Sequence, residues 1–189
     1  MDEQALISAL PDISLTESSF YATSYGLVTD ASRSRLHTQR EDDARASGWL
    51  AGTNTVGEWI QADLLAITHI YRVATQGRNN VNQEQWITTF QLKYSPSSLE
   101  STFEFLTSSP GGAVVTFDGN VDKDTVVATE FSPRVARFVR LYPLAWEGHI
   151  ALRWELYGCP AGLHFIRTCN YTPQAKELFS RKRLLLHRS

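Results

Sequence analysis

The sequence predicts an all-β protein, a sandwich or barrel of short strands, and three observations carry that prediction. Apolar and polar residues alternate with period two in several short runs. Turn-forming residues stop those runs at moderate spacing. Few windows before residue 160 show the 3.6-residue period of an amphipathic helix. In chain order, residues 59–64 and 70–74 are two β-type runs. Residues 90–95 alternate and then meet Pro96-Ser97-Ser98, a turn stop. Residues 114–117 precede Asp118-Gly119, a turn pair, and residues 125–128 are short and β-branched. Residues 135–142 form another run, closed by Pro143. Residues 151–156 are the cleanest strand, with Leu152, Trp154 and Leu156 on one face and Arg153 and Glu155 on the other. Two long polar stretches, residues 38–47 and 77–85, would be loops at one end of a sandwich, where binding residues concentrate.

Composition narrows the function classes. The chain has 189 residues, is 42% hydrophobic and 11% aromatic, and so can bury a sizeable core. Its net charge of −2 gives no case for nucleic acid. Two cysteines cannot build a disulfide-dense scaffold. No apolar run is long enough to span a bilayer, and the acidic start is not a signal peptide. The charge is uneven: residues 1–159 carry −7 and residues 160–189 carry +5, which marks the last stretch as a separate segment. Within that segment Ala175, Leu178 and Phe179 have the spacing of one helical face, and Arg181-Lys182-Arg183 is a basic cluster.

Catalytic motifs are missing. There is no phosphate loop, no dinucleotide fingerprint and no nucleophile elbow. The five histidines are scattered, without zinc-ligand spacing. Glu41-Asp42-Asp43 reads either as a solvated loop or as part of a cation site, the former several times more often. The sequence therefore predicts no enzyme and no cofactor; calcium has no clear motif to support it.

Taken in order, several segments resemble one known family. These are residues 15–21, Arg35-Leu36-His37, Gly48-Trp49, residues 58–64, Thr75-Gln76-Gly77-Arg78, residues 86–90 and residues 117–122. The most specific part is the close: residues 136–140, Tyr142-Pro143, Trp146 and residues 150–159. Together they resemble the discoidin domain family, also called the coagulation-factor C-type domain, in its animal, extracellular form. The resemblance implies a jelly-roll β-sandwich of about eight main antiparallel strands. Binding loops called spikes project from one end. It also implies non-enzymatic adhesion and recognition, with ligands across the family that include phosphatidylserine membranes, collagen, protein C-termini and sugars.

On this resemblance the domain covers residues 1–159, and residues 160–189 form a basic extension or linker, partly helical or disordered. The spikes fall at residues 22–26, 50–57 and 78–85. The ligand-binding candidates are Tyr21, Thr23, Tyr25, Leu27, Leu50, Asn54, Arg78, Asn79, Asn80 and Val81. For membrane binding, Tyr25, Leu27, Leu50 and Val81 would be the apolar tips; at even odds Leu27 and Leu50 instead pack the loop bases. Family members that bind a C-terminal arginine carry a carboxylate where this chain has Asn54, and an amide cannot make the bidentate pair that arginine needs. A polar, aromatic-edged pocket instead suits a sugar or a protein side chain. Ordinary turn chemistry is the stronger reading of the asparagines of the third loop. Trp59, Trp86, Trp146 and Trp154 read as core. Arg140, Arg153 and Glu155 read as structural ion pairs, and Asp63 as an acceptor from a loop.

The family joins its chain ends by a disulfide. Cys159 matches the second cysteine, and no first cysteine precedes Pro11. Either the chain was cut after that cysteine, or the lineage lacks it, or Cys159 pairs with Cys169. Asn170-Tyr171-Thr172 is a glycosylation sequon weakened by Pro173. The expected function is an extracellular module that binds a cell-surface or matrix protein or a glycan. Anionic phospholipid binding and a carbohydrate-binding appendage of a larger secreted protein are the alternatives. The expected location is secreted or extracellular, with the leader not in this chain.

Overall fold

A computed structural model describes residues 4–22, 24, 26–40, 45–80 and 82–161. The strands are β1 (Gln4–Ala5), β2 (Leu15–Glu17), β3 (Trp49–Leu50), β4 (Ile60–Gln76), β5 (Trp86–Ser95), β6 (Glu104–Phe105), β7 (Phe117–Asp118), β8 (Val127–Glu147) and β9 (Ala151–Pro160). All pair antiparallel, and the only helical pieces among the described residues are three short 3-10 turns.

Two long strands bend from one layer of the sandwich into the other. At its start, residues 60–63, β4 lies between β2 and the second half of β8. After an irregularity at residues 64–67 it continues between β9 and the first half of β8. The bend puts Leu65 at φ 64°, a left-handed conformation that a side chain resists. The Asp63 carboxylate accepts from the Leu65 N–H at 2.9 Å and holds the irregularity in place, as expected of an acceptor at this position. It also forms a two-pronged ion pair with Arg137, at 2.7 and 2.8 Å. The sequence predicts separate strands at residues 59–64 and 70–74, and again at 125–128 and 135–142. Each pair is instead one bent strand, because the bend residues keep the ladder going on a new neighbour. Pro143 does not end its strand: it pairs with Phe90 at a register shift, where a missing N–H costs little.

Both layers turn alternate apolar side chains inward. Ile60, Ala62, Val139, Leu141, Leu152, Trp154 and Leu156 are all fully buried. In β5 the burial phase moves from Ile87 to Phe90 and Leu92 across its register shift. Trp154 and Trp49 are fully buried, whereas Trp59, Trp86 and Trp146 are half-buried. Trp146 still packs on the core, and Trp59 covers the Arg140 guanidinium at 4.4 Å. Arg140 pairs with Glu100 at 2.6 Å, as expected.

Arg153 keeps an ion pair, with Asp124 at 3.9 Å, as expected, whereas Glu155 takes a different role from the ion pair predicted for it. Both are buried, because the outer face of β9 is covered. The Glu155 carboxylate accepts from the N–H groups of Ile7 and Ser8 and clamps the N-terminal segment. Arg153 donates mainly to backbone carbonyls of the loops, described next.

Candidate functional site

The loops at the end of the sandwich where β4 meets β5 are held by buried polar side chains, with only a small apolar cluster at their bases. Arg153 donates to the carbonyls of Gly77 (2.6 Å), Thr38 (3.1 Å) and Lys123 (2.9 Å), gathering three loops at one guanidinium. Burial draws its pKa down to about 10, partly opposed by Asp124 at 3.9 Å, so it stays charged at neutral pH. Arg33 does the same for Ala46 (2.8 Å) and Gln39 (2.9 Å). The Glu58 carboxylate accepts from the hydroxyls of Ser18, Ser19 and Thr53 and ties the first loop to the second. Desolvation pushes its pKa up, but these hydrogen bonds outweigh it and hold the carboxyl below its ordinary range.

Between the loops lies a cavity of about 250 Å³, lined by Tyr21 and Ser24, Leu27, Leu50, Arg78, Gln83 and Gln85, and His149. Tyr21 is fixed through its backbone. Its N–H donates to Leu50 (2.9 Å), and its carbonyl accepts from the Thr29 hydroxyl (2.6 Å). Its ring meets His149 edge-on at 5.6 Å. His149 donates through Nε2 to the Ala51 carbonyl at 2.8 Å; because a carbonyl only accepts, that nitrogen carries a proton. Arg78 is buried and donates to Gln83 Oε1 (2.6 Å) and Gln85 Oε1 (2.7 Å), which shapes the third loop. The described lining holds one permanent cation, an imidazole, two amides and two hydroxyls, and no carboxylate. It is rich in donors and suits hydroxyl or acidic ligand groups better than basic ones.

Of the sequence candidates, Tyr21, Leu27, Leu50 and Arg78 meet in this cavity. Leu27 and Leu50 are buried with Ala46 and Ala151 in a small cluster of their own, so they pack the loop bases and are not tips. Asn54 does not line the cavity. Its Nδ2 donates to the Gly148 carbonyl (3.2 Å), and its Oδ1 accepts from the Ile150 N–H (2.8 Å). Both ends of the amide are spent on holding the β8–β9 turn that carries His149. Gly148 makes that turn feasible: its φ is 61°, and a Cβ there would run into the Glu84 carbonyl of the third loop. Asn79 donates to Gln39 (2.8 Å) and Asn80 to Gln83 (3.2 Å), which is turn and loop chemistry. Thr23, Tyr25, Val81, Cys169, Asn170 and Glu41-Asp42-Asp43 lie outside the described residues. Cys159 is not a free thiol. Among the described residues no cluster of His, Cys, Asp or Glu is placed to hold a metal ion.

Sequence reasoning missed Ser24, Gln85 and His149 as lining residues. The signal for His149 was its place in the short turn between two strong strand patterns, since such a turn must emerge at one end of the sandwich.

Comparison with known proteins agrees with this architecture. The profile of the F5/8 type C domain matches residues 14–156. Neuropilin-1 of Xenopus laevis is 36% identical over 139 residues, 73% of this chain; the chain spans only 14% of that protein. Recombinant discoidin II of Dictyostelium discoideum superposes with a TM-score of 0.68 at 24% identity, covering 85% of this chain and 60% of that one. A Clostridium perfringens module, CBM32-5, in complex with GalNAc-beta-1,3-galactose, superposes with a TM-score of 0.56 at 16% identity over 82% of this chain and 99% of that one.

Proposed function

Because this chain belongs to the F5/8 type C (discoidin) domain family, we propose that it is a non-enzymatic, extracellular recognition module whose loop end binds a protein or glycan ligand. The observation that carries this reading is the cavity between the loops, with hydrogen-bonding side chains inside and the half-exposed Tyr21 ring at its rim. A ring face beside fixed donors suits a sugar or an extended side chain, which needs stacking and directional hydrogen bonds together. The absence of a carboxylate from the described lining argues against a ligand with a C-terminal arginine. The oxidised state of Cys159 supports an oxidising, extracellular setting. The domain reading keeps residues 1–159 as the binding unit and 160–189 as a separate basic segment.

A glycan array tests the sugar branch. The expected result is a selective set of hits that Tyr21→Ala abolishes. A silent array refutes that branch and leaves the protein branch, tested by binding to immobilised collagen and other matrix proteins. The carbohydrate-binding appendage reading makes the same array prediction and differs only in the flanking sequence.

Peripheral binding to phosphatidylserine membranes keeps one supporting observation. Phe20 and Val56 are 52% and 67% exposed at the loop end. Cosedimentation with liposomes of phosphatidylcholine, with and without phosphatidylserine, checks it. Equal sedimentation by Phe20→Ser/Val56→Ser and wild type would refute insertion.

A further inference from the structure

β7 and β8 follow one another in the chain, joined by residues 119–126, and an ordinary hairpin would pair them. Here they do not pair. β7 bonds to β5, the first half of β8 bonds to β4, and neither has a second strand partner among the described residues. Residues 115–118 and 127–132 are therefore the facing free edges of the two layers, along the side where the sandwich stays open.

The seam holds a groove of about 430 Å³. Its floor is apolar: Leu106, Val115, Phe117 and Phe131, with the Phe117 and Phe131 rings meeting edge to face at 5.9 Å. Both ends are fixed. Arg134 crosses to donate to the Thr107 carbonyl at 2.8 Å, and Asn120 donates to the carbonyls of Thr75 (3.2 Å) and Thr125 (2.7 Å). Asp118 and Glu130 stand at the outer rim, exposed and without an ion-pair partner among the described residues. Arg72 lies opposite Glu130 in the ladder, but its guanidinium stacks on Tyr157 at 4.6 Å.

We propose that this seam is a docking site for an extended peptide strand that alternates apolar and basic residues. Three features select that occupant. On each edge, every second residue points its N–H and C=O away from its ladder partner and toward the seam, and only another backbone in extended form matches that row. Packed layers lie about 10 Å apart, which is about two strand spacings, so one inserted strand reaches both edges. It runs antiparallel to β8 and parallel to β7, turns its apolar side chains onto Phe117 and Phe131, and turns its basic ones toward Asp118 and Glu130. This is strand addition of the general kind that peptide-recognition domains use. It lies on the side of the sandwich and does not depend on the loop-end cavity.

The test titrates a short, end-blocked peptide of alternating valine and lysine into the isotope-labelled full chain, followed by backbone amide NMR. The expected result is saturable shifts confined to residues 115–118 and 127–132. An analogue N-methylated at alternate backbone positions should bind about tenfold more weakly, since it loses ladder hydrogen bonds. Glu130→Lys and Asp118→Lys, both at exposed positions and not expected to disturb folding, should weaken the unmodified peptide several-fold and flatten its salt dependence. Four outcomes overturn the proposal: no shifts at millimolar peptide, shifts centred on the loop cavity, equal binding of the N-methylated analogue, or edge shifts that follow protein concentration alone and so report a second copy of this chain.

Discussion

The layers and the loops of this molecule are held together by different chemistry. Between the layers, apolar side chains such as Ile60, Phe90, Leu92 and Leu141 interlock with no polar group to satisfy. Under the loops the buried anchors are Arg153, Arg33, Glu58 and Asn120, each directed at named carbonyls or hydroxyls. Apolar burial is non-directional and tolerates changes of shape if volume is kept. A buried polar anchor is directional and has few substitutes, because removing it leaves its partners orphaned. The fold can therefore persist while the loops are reshaped, and the loop geometry can be lost by single substitutions that leave the layers standing.

The largest effect should come from the layers. Trp154→Ala opens a cavity at a fully buried site and should cost about 3–5 kcal/mol, read as a lowered urea midpoint. Arg153→Met keeps the apolar stem and removes the guanidinium, leaving the Gly77, Thr38 and Lys123 carbonyls without their donor. It should cost about 3 kcal/mol, with hydrogen exchange quickening in residues 77–85 before it does in β4 or β8. Equal quickening in strands and loops would erase the distinction between the two regions.

Acid should act on the same contrast. The pKa values of Glu58 and Asp63 are lowered in the folded state, so each adds stability that is present above its unfolded value and is lost as pH falls through the folded one. Stability should thus fall below the ordinary carboxylate range. Glu58→Gln should cost about 1–2 kcal/mol at neutral pH and flatten the acid limb of a pH titration of the urea midpoint. The smallest effect on stability should be that of Asn54→Asp. The carboxylate still accepts from Ile150 but repels the Gly148 carbonyl, so the His149 turn moves. Ligand affinity at the cavity should fall several-fold with the melting temperature almost unchanged; unchanged affinity would show that the turn does not serve the cavity.

Much of the strand layer was legible because apolar alternation is a local signal. Leu152, Trp154 and Leu156 turn inward as the pattern says. The role of Glu155 was misread, and the burial of Arg153 missed, for the same reason: alternation gives the face, not what covers it. The N-terminal segment covers Glu155 and the loops cover Arg153, and both covers come from residues far away in the chain. In the site, Tyr21, Leu27, Leu50 and Arg78 followed from the loop positions that the resemblance implied. His149 and the clamping role of Asn54 did not follow, because the partners of Asn54 are 94 and 96 residues away.

The sequence by itself determined the all-β class, the family, the inward faces of the strands and the location of the long loops, since each is written in local spacing or ordered motifs. Tertiary structure alone decided that four predicted strands are two bent ones, that β7 and β8 leave their facing edges open, and which polar residues build the site and which hold it. Those outcomes depend on long-range register and on which backbone groups find partners, and no short window of sequence contains that information.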